Sequence, residues 1–541
     1  MTVHLFSPAG RQAALAGMSG GDLDLLIVGG GITGCGLARD AALRGLKVAL
    51  VEKEDFAYGT SSRSSKLIHG GLRYLAHGDF AVVRESGHER KALRTIAPHL
   101  VHPIDFVVPL KKGERLIMKI GLLLYDRLVG VSGGEAHRSL SVAETHRRVP
   151  HLAAAYTSGL TYGEYVTDDA RFTMENALSA ALHGAWVANH AAVLEFPHAC
   201  GKVVGARVRD TLTGAGYDVR ARVVVNATGP WAEETMRTTG FTPRKHLIPS
   251  KGVHLLFRAA RLPITGAVGL KSPGGKMGFA IRRWDFVYAG TTDEPHQGPL
   301  DQPLADRAAV FSVLKMVQDS FPELALTEAD IVGTWAGLRP LIAEPGKSTR
   351  DTSRHDEVWA GPDGMLTVAG GKLTTYRRMA ARIMTFVARA LQRDLGDNRR
   401  TAEVPLPLAC ASPDAAAVAA LRDHGVSRQA IERITWLYGA ELPDLLQLGA
   451  EDPAWLEPLA PGVPALRGEV RLAVEQEMAL TLLDFMDRRS ALLLFSADHG
   501  LGAAPAACRI MGGLLGWSEA EQAAQLELYR RVTKNHGFPE A

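Results

Sequence analysis

A chain of 541 residues with 46% hydrophobic and 22% charged side chains exceeds a single hydrophobic core, so two or three domains are expected. The formal net charge of +3, with no Lys/Arg block and no basic-aromatic alternation, argues against nucleic-acid binding. Cys35, Cys200, Cys410 and Cys508 show no CxxC spacing, so neither a zinc site nor a disulfide framework is indicated and no metal is expected.

Residues 1–21 carry short apolar patches around Arg11 and lack the charged start and long apolar core of a secretory signal. They read as a flexible extension. The segment Asp24–Glu52 that follows is the most informative of the chain. Leu25–Val28 is an unbroken apolar run suited to a parallel strand buried on both faces, and Gly29, Gly31 and Gly34 fill GxGxxG. Gly29 allows the turn, Gly31 clears the way for a pyrophosphate, and Gly34 lets the next helix pack on its strand. The anion would sit on that helix's N-terminal N–H groups. Val48–Val51 reads as the second strand, and Glu52 closes it, placed to accept hydrogen bonds from an adenosine ribose and poorly placed for a 2'-phosphate.

The next loop, YGTSSRSSKLIHGGLRY, sets Thr60, Ser61, Ser62, Ser64 and Ser65 beside Gly59, Gly70 and Gly71. Its hydroxyls and open N–H groups suit a long ligand lying across the sheet, and His69 falls close to it. Leu116–Val129 places Ile117, Ile120, Leu124 and Leu128 on one helical face, with Lys111, Lys112, Arg115, Lys119 and Arg127 nearby. Two readings fit: a helix buried against its own protein, or one lying on an anionic membrane surface. No window of 18 apolar residues offers a membrane-spanning helix.

A hairpin is expected around Thr213–Gly216, followed by the strand and small-residue turn VVVNATGP, which contains Gly229. Lys245–Asp293 is rich in Val, Phe, Ile and Tyr and reads as strands forming a wall over the cofactor. MLTVAGGKLTT is a further strand, a turn at Gly371 and a helix start at Lys372, Leu373 and Thr374, whose N-terminus can stabilise negative charge. After Ala390 the prolines Pro405, Pro407 and Pro413 oppose helix. Helical patterns resume beyond them, notably Glu469–Arg489 and a last helix opened by the capping box Ser518 to Glu521. No DxDxDG calcium loop is present.

The strings SSKLIHGGLRYL (from Ser64), NATGPW (from Asn226), GTTD (from Gly290), GLRP (from Gly337) and GGKLTTYR (from Gly370) occur in that order. Together they resemble the FAD-dependent glycerol-3-phosphate dehydrogenases, within the flavoproteins that include D-amino-acid oxidases. The resemblance implies an α/β plus α architecture. A Rossmann-like FAD-binding domain would be assembled from 22–100, 160–235 and 335–395, a β-rich substrate cap from 101–159 and 236–334, and an all-helical domain from 396–541. It further implies noncovalent FAD, oxidation of sn-glycerol 3-phosphate to dihydroxyacetone phosphate by hydride transfer to flavin N5, and electrons passed to quinone. The enzyme would be cytoplasmic and peripheral on the inner face of the cytoplasmic membrane, with a homodimer as one assembly open to it.

In the same pattern His254, at the KGxH position, would be the proton acceptor and Arg339 would hold substrate over the flavin. Arg73, Tyr74, Arg350 and Lys372 would bind the phosphorylated donor. On charge alone each arginine would read as a solvated surface group; the motifs single them out. Three rivals stand beside this reading. A glycerol-phosphate oxidase would pass electrons to oxygen, an amine or amino-acid oxidase would need a carboxylate clamp and apolar slot, and a dinucleotide sensor would be colourless and inert.

Overall fold

The computed structural model describes residues 5–76, 78–131, 133–241, 245–271, 277–343 and 356–539. Its first element departs from expectation. Residues 8–19 form α1 (Pro8–Ser19), opened by Pro8 and by the Ser7 hydroxyl, which accepts the Gly10 N–H at 3.1 Å. Far from being a flexible extension, α1 buries Leu15 and Met18 and sinks the Arg11 guanidinium onto Asp210 (2.7 Å) and the carbonyls of Asn189 and His190. Those partners lie about 180 to 200 residues downstream, so no local pattern announces them.

Downstream come β1 (Leu23–Val28), α2 (Ile32–Leu43), β2 (Val48–Val51), β3 (Leu67–Ile68), α3 (Leu72–Ala76), α4 (Phe80–Ile96), β4 (His102–Lys111), α5 (Arg115–Val129), β5 (Arg138–Leu140), α6 (Val142–Arg148), β6 (Tyr156–Val166) and α7 (Asp169–Leu182). The middle of the chain is strand-rich. It comprises β7 (Trp186–Ala188), β8 (Ala191–Glu195), β9 (His198–Ala199), β10 (Lys202–Val203), β11 (Gly205–Asp210), β12 (Gly216–Asn226), α8 (Ala232–Arg237), β13 (Leu247–Arg258), β14 (Ala267–Lys271), β15 (Met277–Arg283) and β16 (Phe286–Gly290). Then follow β17 (Glu294–Pro295), α9 (Arg307–Ser320), β18 (Ile331–Ile342), β19 (Glu357–Ala360), β20 (Leu366–Ala369) and α10 (Tyr376–Leu391).

The first sheet runs β19-β20-β12-β1-β2-β7 and is parallel except at its β19 edge. Successive residues of β1 serve opposite faces. Leu25 and Ile27 pack with Leu37 of α2, Met174 of α7 and Ile383 of α10, while Leu26 and Val28 pack with Leu15 of α1 and Val208 of β11. Burial on both faces is why the run is apolar without alternation. The outer half of β12 pairs antiparallel with β11, forming the expected hairpin.

The second sheet runs β17-β13-β16-β15-β14-β4-β6-β3, with β18 on β13 and β5 on β6. Only its β14–β4 pairing is parallel among the described strands. This sheet recruits β3, most of β6 and the end of β18 from segments expected in the nucleotide domain. Partner choice follows long-range register, which a strand's own period does not encode.

On α5 the buried residues are Leu122, Tyr125, Asp126 and Val129, whereas Ile117, Ile120 and Leu123 are 78%, 58% and 53% exposed. The apolar face is therefore not core. No helix among the described residues is long and apolar enough to cross a membrane.

The remaining chain is helical and packs into two clusters, one around Leu421, Ile434 and Leu445 and one around Val470, Phe485 and Met511. The expected helix Glu469–Arg489 is broken. An α-helix, Arg467–Gln476, gives way at Met478 (φ +54°) to a π-helical turn, Asp484–Arg489. Asp484 accepts the N–H groups of Leu480 and Thr481, both at 2.9 Å, so a buried carboxylate overrides the helical period.

Candidate active site

Both sheets contribute to one cavity of about 1310 Å3. At its first end β1 delivers Gly29, in the left-handed region at φ +111°, where a Cβ would come within 2.6 Å of Ala227 O. A Cβ on Gly34 would fall 1.9 Å from Gly29 O, so α2 is seated against its strand and Gly34 itself does not line the cavity. Gly31 is the N-cap of α2 and supplies no side-chain cap, leaving the helix N-terminus to an anion. Ser61 Oγ accepts the Ile32 N–H there (2.9 Å).

Glu52 also lines the cavity and accepts the N–H groups of Gly30 (2.6 Å) and Glu54 (2.9 Å). Burial pushes its pKa up, against those two bonds, and it has no salt-bridge partner among the described residues. A buried carboxylate held by N–H donors and lacking a cation suits neutral hydroxyl donors such as a ribose. Gly229, Gly371, Leu373 and Thr374 line the same space, and the turn Leu373–Thr375 leads directly into α10. A cavity of this size, with two helix starts and a hydroxyl-seeking acid, fits FAD.

The other end gathers the residues expected to hold and oxidise the donor. His254 on β13 stands opposite Trp335 of β18 and Gly290 of β16 in register, and its ring stacks on Trp335 at 4.8 Å and 11°. Its Nε2 meets Ser65 Oγ at 3.0 Å, and Nδ1 is buried without a hydrogen-bond partner. Burial, reinforced by the charges of Arg339 and Lys66, lowers its pKa to about 3. Arg339 donates to Thr292 O (3.2 Å), Thr291 Oγ1 (3.1 Å) and Asp293 Oδ1 (3.5 Å). The GTTD string is thus the cradle of this guanidinium. Gly252 is required beside it, since a Cβ there would lie 2.5 Å from Arg339 Nη2. Lys372 Nζ rests 3.3 Å from the centre of the Tyr74 ring, and both residues line the cavity.

Several expected cofactor residues are otherwise engaged. Ser64 lines the cavity but donates its hydroxyl to Asp169 (2.6 Å), and Thr60 donates to Leu338 O (2.5 Å). Ser62 and Gly70 do not line it. Ser62 is buried and offers its carbonyl to Lys66 Nζ (3.0 Å), while the Gly70 N–H donates to Glu164 (3.3 Å) and a Cβ on Gly70 would strike the Tyr125 hydroxyl. His69 and Gly71 line the cavity, the His69 N–H donating to Thr374 Oγ1 (3.3 Å). Arg350 and the Arg73 side chain lie outside the described residues. Trp335 and the Ser65–His254 bond escape the sequence, because an aromatic in an apolar strand reads as core. The only available signal for Thr291, Thr292 and Asp293 is the GTTD string itself.

Comparison with known proteins agrees with the fold and the cofactor. The family described as FAD dependent oxidoreductase matches residues 24–377, and the C-terminal domain of alpha-glycerophosphate oxidase matches 399–522. The chain is 38% identical over 517 residues to the aerobic glycerol-3-phosphate dehydrogenase of Bacillus subtilis (strain 168), covering 92% of each. It is 35% identical over 537 residues to the enzyme of that name from Staphylococcus saprophyticus, covering 95% of this chain and 96% of that one. A crystal structure of the glycerol-3-phosphate dehydrogenase from Bacillus halodurans complexed with FAD is similar at a TM-score of 0.82 and 32% identity, covering 98% of both chains.

Proposed function

Because the chain belongs to the FAD dependent oxidoreductase family and, within it, to the aerobic glycerol-3-phosphate dehydrogenases, we propose that it oxidises sn-glycerol 3-phosphate to dihydroxyacetone phosphate using noncovalent FAD. The observation that carries the assignment of roles is the far end of the cavity, where a neutral histidine and two cationic side chains, Arg339 and Lys372, line one space with the dinucleotide cradle.

Bound FAD supplies the hydride acceptor. The chain's own residues supply the rest. Arg339, oriented by Thr291, Thr292 and Asp293, holds the donor, and Lys372 adds positive charge for its phosphate. His254 takes the hydroxyl proton at Nε2. With its other proton on Nδ1, the ring accepts the Ser65 hydroxyl at Nε2 until the substrate hydroxyl replaces it. Arg73 and Arg350 are assigned to phosphate by motif alone.

Quinone is the acceptor in this reading, and α5 supports it. Ile117, Met118, Ile120 and Leu124 line the cavity while this helix turns an apolar face outward, with Lys112, Arg115 and Lys119 beside it. A lipophilic acceptor arriving along the inner face of a membrane would meet the opening. Oxygen is the second acceptor reading, favoured by the match of residues 399–522 to the oxidase C-terminal domain.

Anaerobic mixing with sn-glycerol 3-phosphate should bleach the flavin band at about 450 nm, and glycerol or an amino acid should not. A band that persists would sink the substrate assignment. Once bleached, fast recovery in air without quinone would move the acceptor to oxygen.

A further inference from the structure

One turn of the helical C-terminal part of the chain braces a loop of the active site. All six residues of the π-helical turn Asp484–Arg489 are buried, and its charged side chains engage both ends of the loop that follows β2. At the front of the loop, Asp55 accepts from Arg488 Nε (2.7 Å) and from Arg489 Nη1 and Nη2 (2.7 and 3.0 Å). At its rear, Arg63 Nη1 and Nη2 donate to the two oxygens of Asp487 at 2.9 and 2.8 Å. A two-pronged bond of this kind fixes a guanidinium in plane as well as in distance.

Arg63 lines the cavity, yet both of its terminal nitrogens are committed to Asp487, so it is poorly placed to act as another substrate cation. What it holds is backbone. Arg63 O is packed so closely on Gly337, two residues before Arg339, that a Cβ there would come within 2.5 Å. Thr60 binds the neighbouring Leu338 carbonyl, and Ser65, two residues beyond Arg63, meets His254 Nε2. The short loop therefore touches both the strand that carries the substrate cation and the ring that takes the proton.

We propose that Asp487 is a positioning residue for the oxidation. Acting through Arg63, it holds the 60–65 loop in register with His254 and Arg339, so the helical layer is a working part of the active site. This inference rests on the function proposed above.

Arg63→Met in the FAD-loaded, full-length protein is the test. It keeps the aliphatic volume, and Asp487 remains paired with Arg488 (3.0 Å), so no buried charge is stranded. The expected limiting rate of anaerobic bleaching by glycerol 3-phosphate falls roughly tenfold or more, because small displacements of reacting groups are costly. The half-saturating concentration stays within about threefold, since no donor contact is removed. FAD content and melting midpoint stay near wild type. Arg63→Lys should recover part of the rate, and Arg63→Met with Asp487→Leu should be no slower than Arg63→Met alone.

A full rate in Arg63→Met, or rate loss that merely tracks lost FAD or lowered melting, overturns the inference. If Arg63→Met does not fold, Asp487→Glu, which keeps the charge but shifts the carboxylate, should show the same slowing with FAD retained; a wild-type rate there overturns it as well. Wild-type protein that glycerol 3-phosphate fails to bleach overturns the functional reading instead.

Discussion

His254 is held neutral by its surroundings: burial first, then the charges of Arg339 and Lys66, bring its pKa to about 3. In its proposed role as proton acceptor the ring is then unprotonated across the neutral range, and Trp335 and Ser65 place it. His254→Gln should slow flavin reduction by about 100- to 10,000-fold while FAD stays bound. In the wild-type protein the limiting rate of reduction at saturating donor should stay flat from about pH 8 down to about pH 5; the second-order constant is less direct, because it also reports the free donor, whose phosphate has its second pKa at about 6. An acid limb centred near the ordinary histidine value would assign the proton to another group. The KGxH string marks this residue in the sequence. Its partners are not marked, because Ser65 lies 189 positions away and the stack depends on the pairing of β13 with β18.

At the scale of elements, the strand-turn-helix unit of β1 and α2 was the most readable, since its glycines, its apolar run and Glu52 each answer to one steric or electrostatic demand within 30 residues. Elements whose shape answers to distant charges were the least readable. Helix α1 is fixed by Arg11 reaching Asp210, and the break after α-helix Arg467–Gln476 by Asp484. On α5 the sequence allowed two burials, and only the fold shows which face is covered. The outward face makes a membrane contact testable: Leu116→Glu with Leu123→Glu, both outside the cavity lining, should abolish co-sedimentation with anionic vesicles and leave bleaching by substrate unchanged. Undiminished sedimentation would remove the membrane role of this helix.

Over the whole molecule, buried titratable groups push stability in both directions with pH. His102 is lowered to about 4, and His254 and His536 to about 3, in each case chiefly by burial, from an ordinary 6.5. The unfolded chain therefore takes up these protons first. Their contribution is complete above 6.5 and is lost as the pH falls toward the folded values. Asp487, brought down to about 2 by Arg63 and Arg488 despite its burial, adds a similar loss below its ordinary 3.8. His190, raised by Asp484 against the effect of burial, has the opposite sign: its contribution is full below 6.5 and fades as pH rises through its folded value. His499, also lowered by burial, joins the first set, whereas Asp40, Glu52, Glu54, Glu89, Glu164 and Glu441, all raised by burial, gain stability as the pH falls. One substitution isolates the histidine contribution: between about pH 7 and about pH 4.5 the melting temperature of His102→Gln should fall less, or rise more, than that of the wild type, and parallel curves would contradict it. The bond between Arg63 and Asp487 spans 424 positions of chain, and Thr334 is met by carbonyls of His536 and Gly537 some 202 positions later. On a ribosome adding roughly 5 to 20 residues per second, the partner of Arg63 emerges on the order of 20 to 85 s after it. The β1–α2 part of the nucleotide cradle is thus synthesised early, while the loop that follows β2 has no brace until Asp487 has emerged, so a nascent chain stalled before Asp487 should hold flavin loosely.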